Sequence, residues 1–421
     1  DTCGLEAAGG NTTDLIVRLA EAVRNAPHVK VWNLSLGGAQ IGDHEFSYFA
    51  QQLDALSDEH QVLFVVAAGN YTGLPRRGWP VADLHLEDRL SSPGDSVRAL
   101  TVGAVAHLDS PGAMVAAGHP APYSRRGPGP VFTPKPDLVH AGGGVHEQWD
   151  VGPSSLQMLH PFDALYGSFG TSFATPIVSS VAGHVWQSLD GNPDVAVAPH
   201  MVKALLIHAA RLASPDYGAL ERRYYGCGIP QDALSALYDS DDCFTMMFEA
   251  LVVPGFKWRK TPYPIPASLM HNGKLRAEVI ITAAYSPPLD PNAGAEYVRA
   301  NVNVSFGVLD GSRISGKVPM EGEAGTTGYE AAQIEHGGKW SPVKLHRKKF
   351  PQGVAGDQWA IQLDALLRAN EPPLAEPLNV ALVVSLRSLD ANRQVHADGV
   401  RALVQSNWVR QHLPVRVPVQ V

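Results

Sequence analysis

The sequence predicts an α/β domain, a mostly parallel sheet with helices on both faces, followed by an antiparallel β-sandwich. Three observations carry this. Over the first 240 residues, apolar runs ending in small residues alternate with helical patterns, as buried parallel strands joined by helical crossovers do. Beyond residue 240 the helical period fades, and alternating strands separated by turn-rich spacers take over, as sheets with one buried and one wet face require. The length of 421 residues exceeds what one core of ordinary size organises, so two domains are expected, 1–240 and 241–421.

Taken in order, residues 11–26 (NTTDLIVRLAEAVRNA) read as an amphipathic helix. Leu15, Leu19, Ala22 and Val23 share a face, and Asn11 to Thr13 are candidate caps. Val29 to Gly38 (VKVWNLSLGG) is an apolar strand whose end, Ser35-Leu36-Gly37, can offer a backbone edge to an extended peptide. Gln61 to Asn70 (QVLFVVAAGN) is a fully apolar strand that delivers Asn70 to its carboxyl end. That is where open α/β sheets place their crevices. An Asn there can donate its NH2 to an oxyanion or simply serve a turn. Gly170 to Pro176 (GTSFATP) opens an apolar, small-residue helix running through Trp186. A hydroxyl at such a helix start lies beside unpaired N–H groups and the positive end of the helix dipole. Pro176 is expected in the first turn, where its missing N–H costs little. Alone, Ser172 reads equally well as an ordinary serine near the N-cap of a buried helix.

Together these motifs resemble the subtilisin-like serine proteases (subtilases), in which an SLGG strand, an AAGN strand and GTSxAxP follow in that order. Other segments are similar to family landmarks: Ser91-Ser92-Pro93 before VRALTVGAV (97–105), YSRRGPG (123–129), KPDLVHAG (135–142), the helix HMVKALLIHAARL and YGCGIPQDAL (225–234). The resemblance covers roughly the first 240 residues. It implies that Ser172 is the nucleophile, forming an acyl-enzyme with a polypeptide substrate. It implies an oxyanion hole made by the Asn70 side-chain amide and the Ser172 N–H. It further implies that Ser35, Leu36 and Gly37 pair with substrate backbone, that Gly69 walls the pocket for the residue before the scissile bond, and that Ser92–Pro93 is cis. Calcium is common in the family, but no loop here has the ligand density of a site, so no cofactor or metal is assigned.

The family also needs an Asp in D-[ST]-G and a His in H-G-T, both before the SLGG strand, and neither motif occurs. Asp1-Thr2-Cys3-Gly4 is a lookalike with no strand before it and no His-Gly between it and Ser35. Asp310-Gly311 with His336-Gly337 is a second, whose continuation GGKWSPVKL reads as turn then strand rather than helix. The expectation is therefore an N-terminally incomplete protease domain. The Asp and His would lie on a missing N-terminal segment, and this chain alone would be close to inert. The alternative is a pseudoprotease or peptide-binding module that uses the SLGG edge without turnover.

Composition excludes other classes. A net charge of −8 with no basic block argues against nucleic-acid and anionic-membrane partners. No stretch approaches a membrane-spanning length. Cys3, Cys227 and Cys243 form neither a disulfide framework nor a zinc spacing, which points to a reducing, cytoplasmic setting; a bridge between Cys227 and Cys243 is the one pairing with any support. In the second domain the best strands are 275–284, 298–308, 341–350, 358–367, 378–386 and 400–409, and the run His346-Arg347-Lys348-Lys349 reads as a solvated strand edge. A stabilising appendage, an exosite and a docking module all fit. The pattern is similar to a bacterial subtilase group thought to act with ATPase partners.

Overall fold

A computed structural model describes residues 11–74, 77–82, 87–147, 150–159, 164–192, 195–230, 240–322, 325–327, 333, 337–406 and 408. They form two compact units. The first gathers the chain up to Val131 with Lys135–Pro199 and Glu221–Gly226, and the second gathers Phe132–Pro134, His200–Leu220 and the chain from Cys227.

The first unit opens with helix α1 (Thr12–Asn25), capped by Asn11, whose Oδ1 accepts from the Asp14 N–H at 2.9 Å. Strands β1 (Val31–Leu34), β2 (Leu63–Ala67), β3 (Leu100–Val105) and β4 (Leu138–Ala141) form a parallel sheet in chain order, with Val31 opposite Leu63 and Val102 opposite Leu138. Every residue of β2 and β3 is buried, so both sheet faces must be covered. Helix α1 and helix α2 (Tyr48–His60) cover one, sharing a core with Leu34, Phe64 and Val66. Helix α3 (Thr171–Asp190) contacts all four strands and covers the other. A hairpin, β5 (Leu156–Leu159) and β6 (Leu165–Ser168), leads into α3. Two buried carboxylates pin the loops. Asp54 on α2 accepts from the Ser96 hydroxyl at 2.5 Å and the Arg98 N–H at 2.9 Å, fixing the entry to β3. Asp88 lies between Arg77 (2.9 Å) and Arg126 (2.6 Å), with the Arg77 guanidinium 4.6 Å above the Tyr224 ring.

The second unit contains α4 (Pro199–Ala213), two main antiparallel sheets and a smaller third. The larger runs β15 (Gly325–Thr327), β14 (Met320–Gly322), β16 (Val343–Lys349), β11 (Glu278–Tyr285), β19 (Leu378–Arg387) and β7 (Cys243–Val252). The smaller runs β13 (Arg313–Gly316), β12 (Ala300–Asp310), β18 (Trp359–Leu367) and β8 (Lys257–Lys260). Short strands β9 (Met270–His271), β10 (Lys274–Leu275) and β17 (Val354–Ala355) form a small third sheet. Alternate residues of the two main sheets, among them Ile281, Phe306, Leu363 and Val384, fill one apolar core. Helix α4 gathers with the second unit. Its buried His208 bridges the Thr282 hydroxyl (3.0 Å) and the Ser385 hydroxyl (2.8 Å) of the larger sheet.

Several expectations are corrected. Residues 400–405 are not a strand but the end of helix α5 (Val395–Gln405). The β-branched content suggested a strand, yet the buried residues, Val395, Asp398, Gly399 and Leu403, recur at the three- and four-residue spacing of one helix face; Val409 lies outside the described residues. The basic run is solvated only in part: Lys348 and Lys349 are exposed, but His346 and Arg347 are buried in β16, between β14 and β11, with Arg347 Nε 2.7 Å from Glu278. Cys227 and Cys243 are both buried free thiols. The ten-residue strand β7 escaped notice because its burial is nearly continuous rather than alternating. Among the described residues no helix is long and apolar enough to cross a membrane.

Candidate active site

The carboxyl ends of β1 and β2 and the amino end of α3 meet in the first unit. Beyond β2 the chain passes through Gly69, held at φ +98°, and exposes Asn70. The Asn70 Oδ1 accepts two hydrogen bonds from Thr171, one from its N–H (3.0 Å) and one from its hydroxyl (3.1 Å). With the oxygen engaged, the amide orientation is set and Nδ2 is left to donate. A side chain at Gly170 would place its Cβ 3.3 Å from that Nδ2, so the glycine keeps the approach open. The Asn70 carbonyl accepts from Arg125 Nε at 3.2 Å.

Ser172 is the second residue of α3 and half-buried, so its N–H is one of the donors that a helix start leaves unpaired. Pro176 is the sixth residue of α3 and lies inside the helix, not in the first turn as expected. Without an N–H it cannot bond the carbonyl four residues back, which belongs to Ser172. The Ser35 hydroxyl fills that gap, donating to the Ser172 carbonyl at 3.0 Å. A second contact between β1 and α3 runs from the Ser179 hydroxyl to Asn33 Oδ1 at 3.1 Å. Ser35, Asn70 and Ser172, far apart in sequence, are thus gathered through a proline defect and an amide clamp.

Gly37, Gly69 and Ser91 form a tight corner beside them. A Cβ on Gly37 would lie 3.8 Å from the Gly69 Cα, and one on Gly69 only 2.5 Å from the Ser91 Oγ. Gly37 is exposed, whereas the Leu36 side chain packs on the α1–α2 core, leaving its backbone as the part facing outward. The neighbouring Gly38 and Ser92 exchange backbone bonds along the same rim: the Gly38 N–H reaches the Ser92 carbonyl (2.7 Å) and the Ser92 N–H the Ala39 carbonyl (2.9 Å). The Ser92–Pro93 bond is cis. Sequence reasoning missed Thr171, Ser91 and Arg125. Thr171 was visible inside GTS, but its service to Asn70 is a tertiary fact.

Among the described residues no histidine hydrogen-bonds to Ser172. Asp310 ends β12 and Gly311 turns into β13; Asp1–Gly4 and His336 lie outside the described residues. No group of three or more His, Cys, Asp or Glu among the described residues could hold a metal ion, so no calcium ligands are assigned.

Comparison with known proteins assigns the chain to a family. The sequence profile of the subtilase family (Peptidase S8) matches residues 4–228. The uncharacterized protein y4bN of Sinorhizobium fredii (strain NBRC 101917 / NGR234) is 27% identical over 327 residues, 67% of this chain and 72% of that protein. Among solved structures, the patellamide maturation protease PatA is 23% identical with a TM-score of 0.35, over 52% of this chain and 68% of that one. The prenylagaramide maturation protease PagA is 22% identical with a TM-score of 0.35, over 53% and 68%. In a further structure, of the PatA protease domain, the match covers 64% of that chain. With its family profile matched over more than half of its length, the chain belongs to the subtilase family of peptidases.

Proposed function

We propose that this chain carries the nucleophile half of a serine endopeptidase site. Ser172 Oγ attacks a peptide carbonyl and forms the acyl-enzyme, expelling the amine. The Asn70 Nδ2 and the Ser172 N–H take the developing oxyanion. Ser35, Leu36 and Gly37 hold the substrate backbone in register, and Gly69, with Ser91 behind it, bounds the space for the residue before the scissile bond. No general base or orienting carboxylate is assigned among these residues, and a serine without them turns over very slowly.

The supporting observation is the clamp on Asn70. Thr171 occupies both acceptor directions of the amide oxygen and leaves the donor free, one residue before the proposed nucleophile. A module that only binds peptides along the Gly37 edge has no use for such a preorganised donor. In subtilisin itself, losing the oxyanion asparagine costs about two to three orders of magnitude in kcat.

A fluorophosphonate probe and a quenched-peptide library test this. The chain alone should be neither labelled nor active. The product of the complete gene should be labelled and active. Ser172→Ala should abolish both, and Asn70→Ala should lower kcat by about 100- to 1,000-fold with little change in KM. Ser172-dependent turnover by the chain alone overturns the division of the site. Peptide binding without turnover by the complete product overturns the enzyme reading.

A further inference from the structure

We propose that Arg125 makes the site selective for an acidic residue immediately before the scissile bond, by pairing its guanidinium with that residue's carboxylate. The inference rests on the protease reading above and names its substrate class. Three loop segments meet where that reading puts the pocket. The Ser91 N–H donates to the Ala68 carbonyl at 3.0 Å, and the Arg125 N–H to the Gly69 carbonyl at 3.1 Å. Gly69 therefore runs between Ser91 and Arg125. A Cβ on Gly69 would lie 2.9 Å from the Arg125 Cδ, so the bare glycine backbone is what lets the arginine stem lie against it.

From there the guanidinium is tied down on two sides. Its Nε donates to the Asn70 carbonyl at 3.2 Å. Its Nη1 donates to the Arg89 carbonyl at 2.7 Å and to Gln40 Oε1 at 2.9 Å, with the Glu87 carbonyl further off at 3.4 Å. The head group thus spans from the proposed oxyanion asparagine to the segment that continues beyond Gly37 and Gly38. Holding it there in advance removes most of the entropy that a free arginine would lose on binding.

What these bonds leave over is the charge. Among the described residues every hydrogen bond of the Arg125 side chain goes to a neutral oxygen, and none uses Nη2. Partial burial works against the charge, and the carboxylate that offsets this, Asp88, is already held by Arg77 and Arg126. A guanidinium nevertheless stays protonated at any working pH. Arg125 is half-buried rather than sealed, so a substrate side chain can reach it. A carboxylate supplies both the missing counter-charge and acceptors for Nη2, in charge-assisted bonds roughly twice as strong as neutral ones. An apolar side chain in the same place covers donors without satisfying them, and a basic one meets a like charge.

The test is fluorescence anisotropy of the full chain with fluorescein-labelled Ala-Ala-Pro-X peptides, amidated at the C-terminus, X being Glu, Asp, Leu or Lys. The tighter of the two acidic peptides should bind roughly tenfold or more tighter than the Leu peptide, and added salt should narrow that ratio. Arg125→Gln should remove the preference while the Leu peptide binds as before. Gln40→Glu, isosteric and at an exposed position, sets a carboxylate against Nη1 and should remove it too, which guards against a folding defect in the first variant. The proposal fails if neither acidic peptide binds, if neither binds tighter than the Leu peptide, if the Lys peptide binds tightest, or if either variant keeps the acidic preference. None of this requires turnover, so the protease reading stands or falls separately, on Ser172 labelling and peptide cleavage by the product of the complete gene.

Discussion

The bond from Ser35 to Ser172 depends on Pro176, and this dependence can be measured. Pro176 leaves the Ser172 carbonyl without its helical partner, and the Ser35 hydroxyl stands in at 3.0 Å. A neutral, partly buried hydrogen bond contributes about 0.5–1.5 kcal/mol net, so Ser35→Ala should destabilise the first unit by about 1 kcal/mol. Pro176→Ala restores an N–H four residues beyond Ser172, and the carbonyl then has a second donor. In that background Ser35→Ala should cost far less, giving a coupling of about 1 kcal/mol in a double-mutant cycle. Because the chain has two units, a single global melt blurs the effect. Hydrogen exchange of the peptides covering β2 (Leu63–Ala67) and β3 (Leu100–Val105) in increasing urea isolates the first unit. Equal costs of Ser35→Ala in both backgrounds would refute the assignment of this bond to the proline defect.

Three further outcomes follow from the same structure. Gly69→Ala puts a side chain at φ +98° and 2.5 Å from Ser91 Oγ, so it should destabilise by about 2–4 kcal/mol in thermal melts, with partial relief from Ser91→Gly. Asp88→Asn leaves Arg77 and Arg126 buried without their shared counter-charge; about 3–5 kcal/mol should be lost, seen by calorimetry as a drop of roughly 2–4 °C per kcal/mol. His208 is buried between two hydroxyls with Arg211, Arg347 and Arg387 nearby, and burial above all pushes it down to about 3. The unfolded imidazole takes its proton near 6.5, so this contribution is complete above that pH and is lost at about 1.4 kcal/mol per pH unit as the pH falls towards 3. Urea midpoints between pH 7 and 4 should show that slope, and His208→Gln should flatten it by that amount.

The parallel sheet was legible because each of its strands is an apolar run ending in small residues, and VLFVVAAGN can hardly be anything else. Helix α1 was legible because its period and its Asn11 cap agree. Failures arose where tertiary context outweighs local pattern. Residues 400–405 carry β-branched side chains but follow a helical spacing set by what they bury. The run HRKK looks solvated until Glu278 is seen to pair with both Arg347 and Arg387.

The candidate site shows the same division at closer range. Ser172, Asn70 and Ser35 stand out because small residues and a proline surround them, and those neighbours are there for backbone reasons a sequence displays. What recommends the three as a candidate site is how their polar groups are used up. Thr171 consumes the acceptor end of Asn70, and Ser35 answers the carbonyl that Pro176 abandons. Each bond removes a competing use of a polar group, so what remains unspent is a pair of donors, the Asn70 amide and the Ser172 N–H. Preorganised donors that need no rearrangement stabilise a developing anion most effectively. On the proposed reading, Thr171 and Pro176 serve the chemistry without touching a substrate.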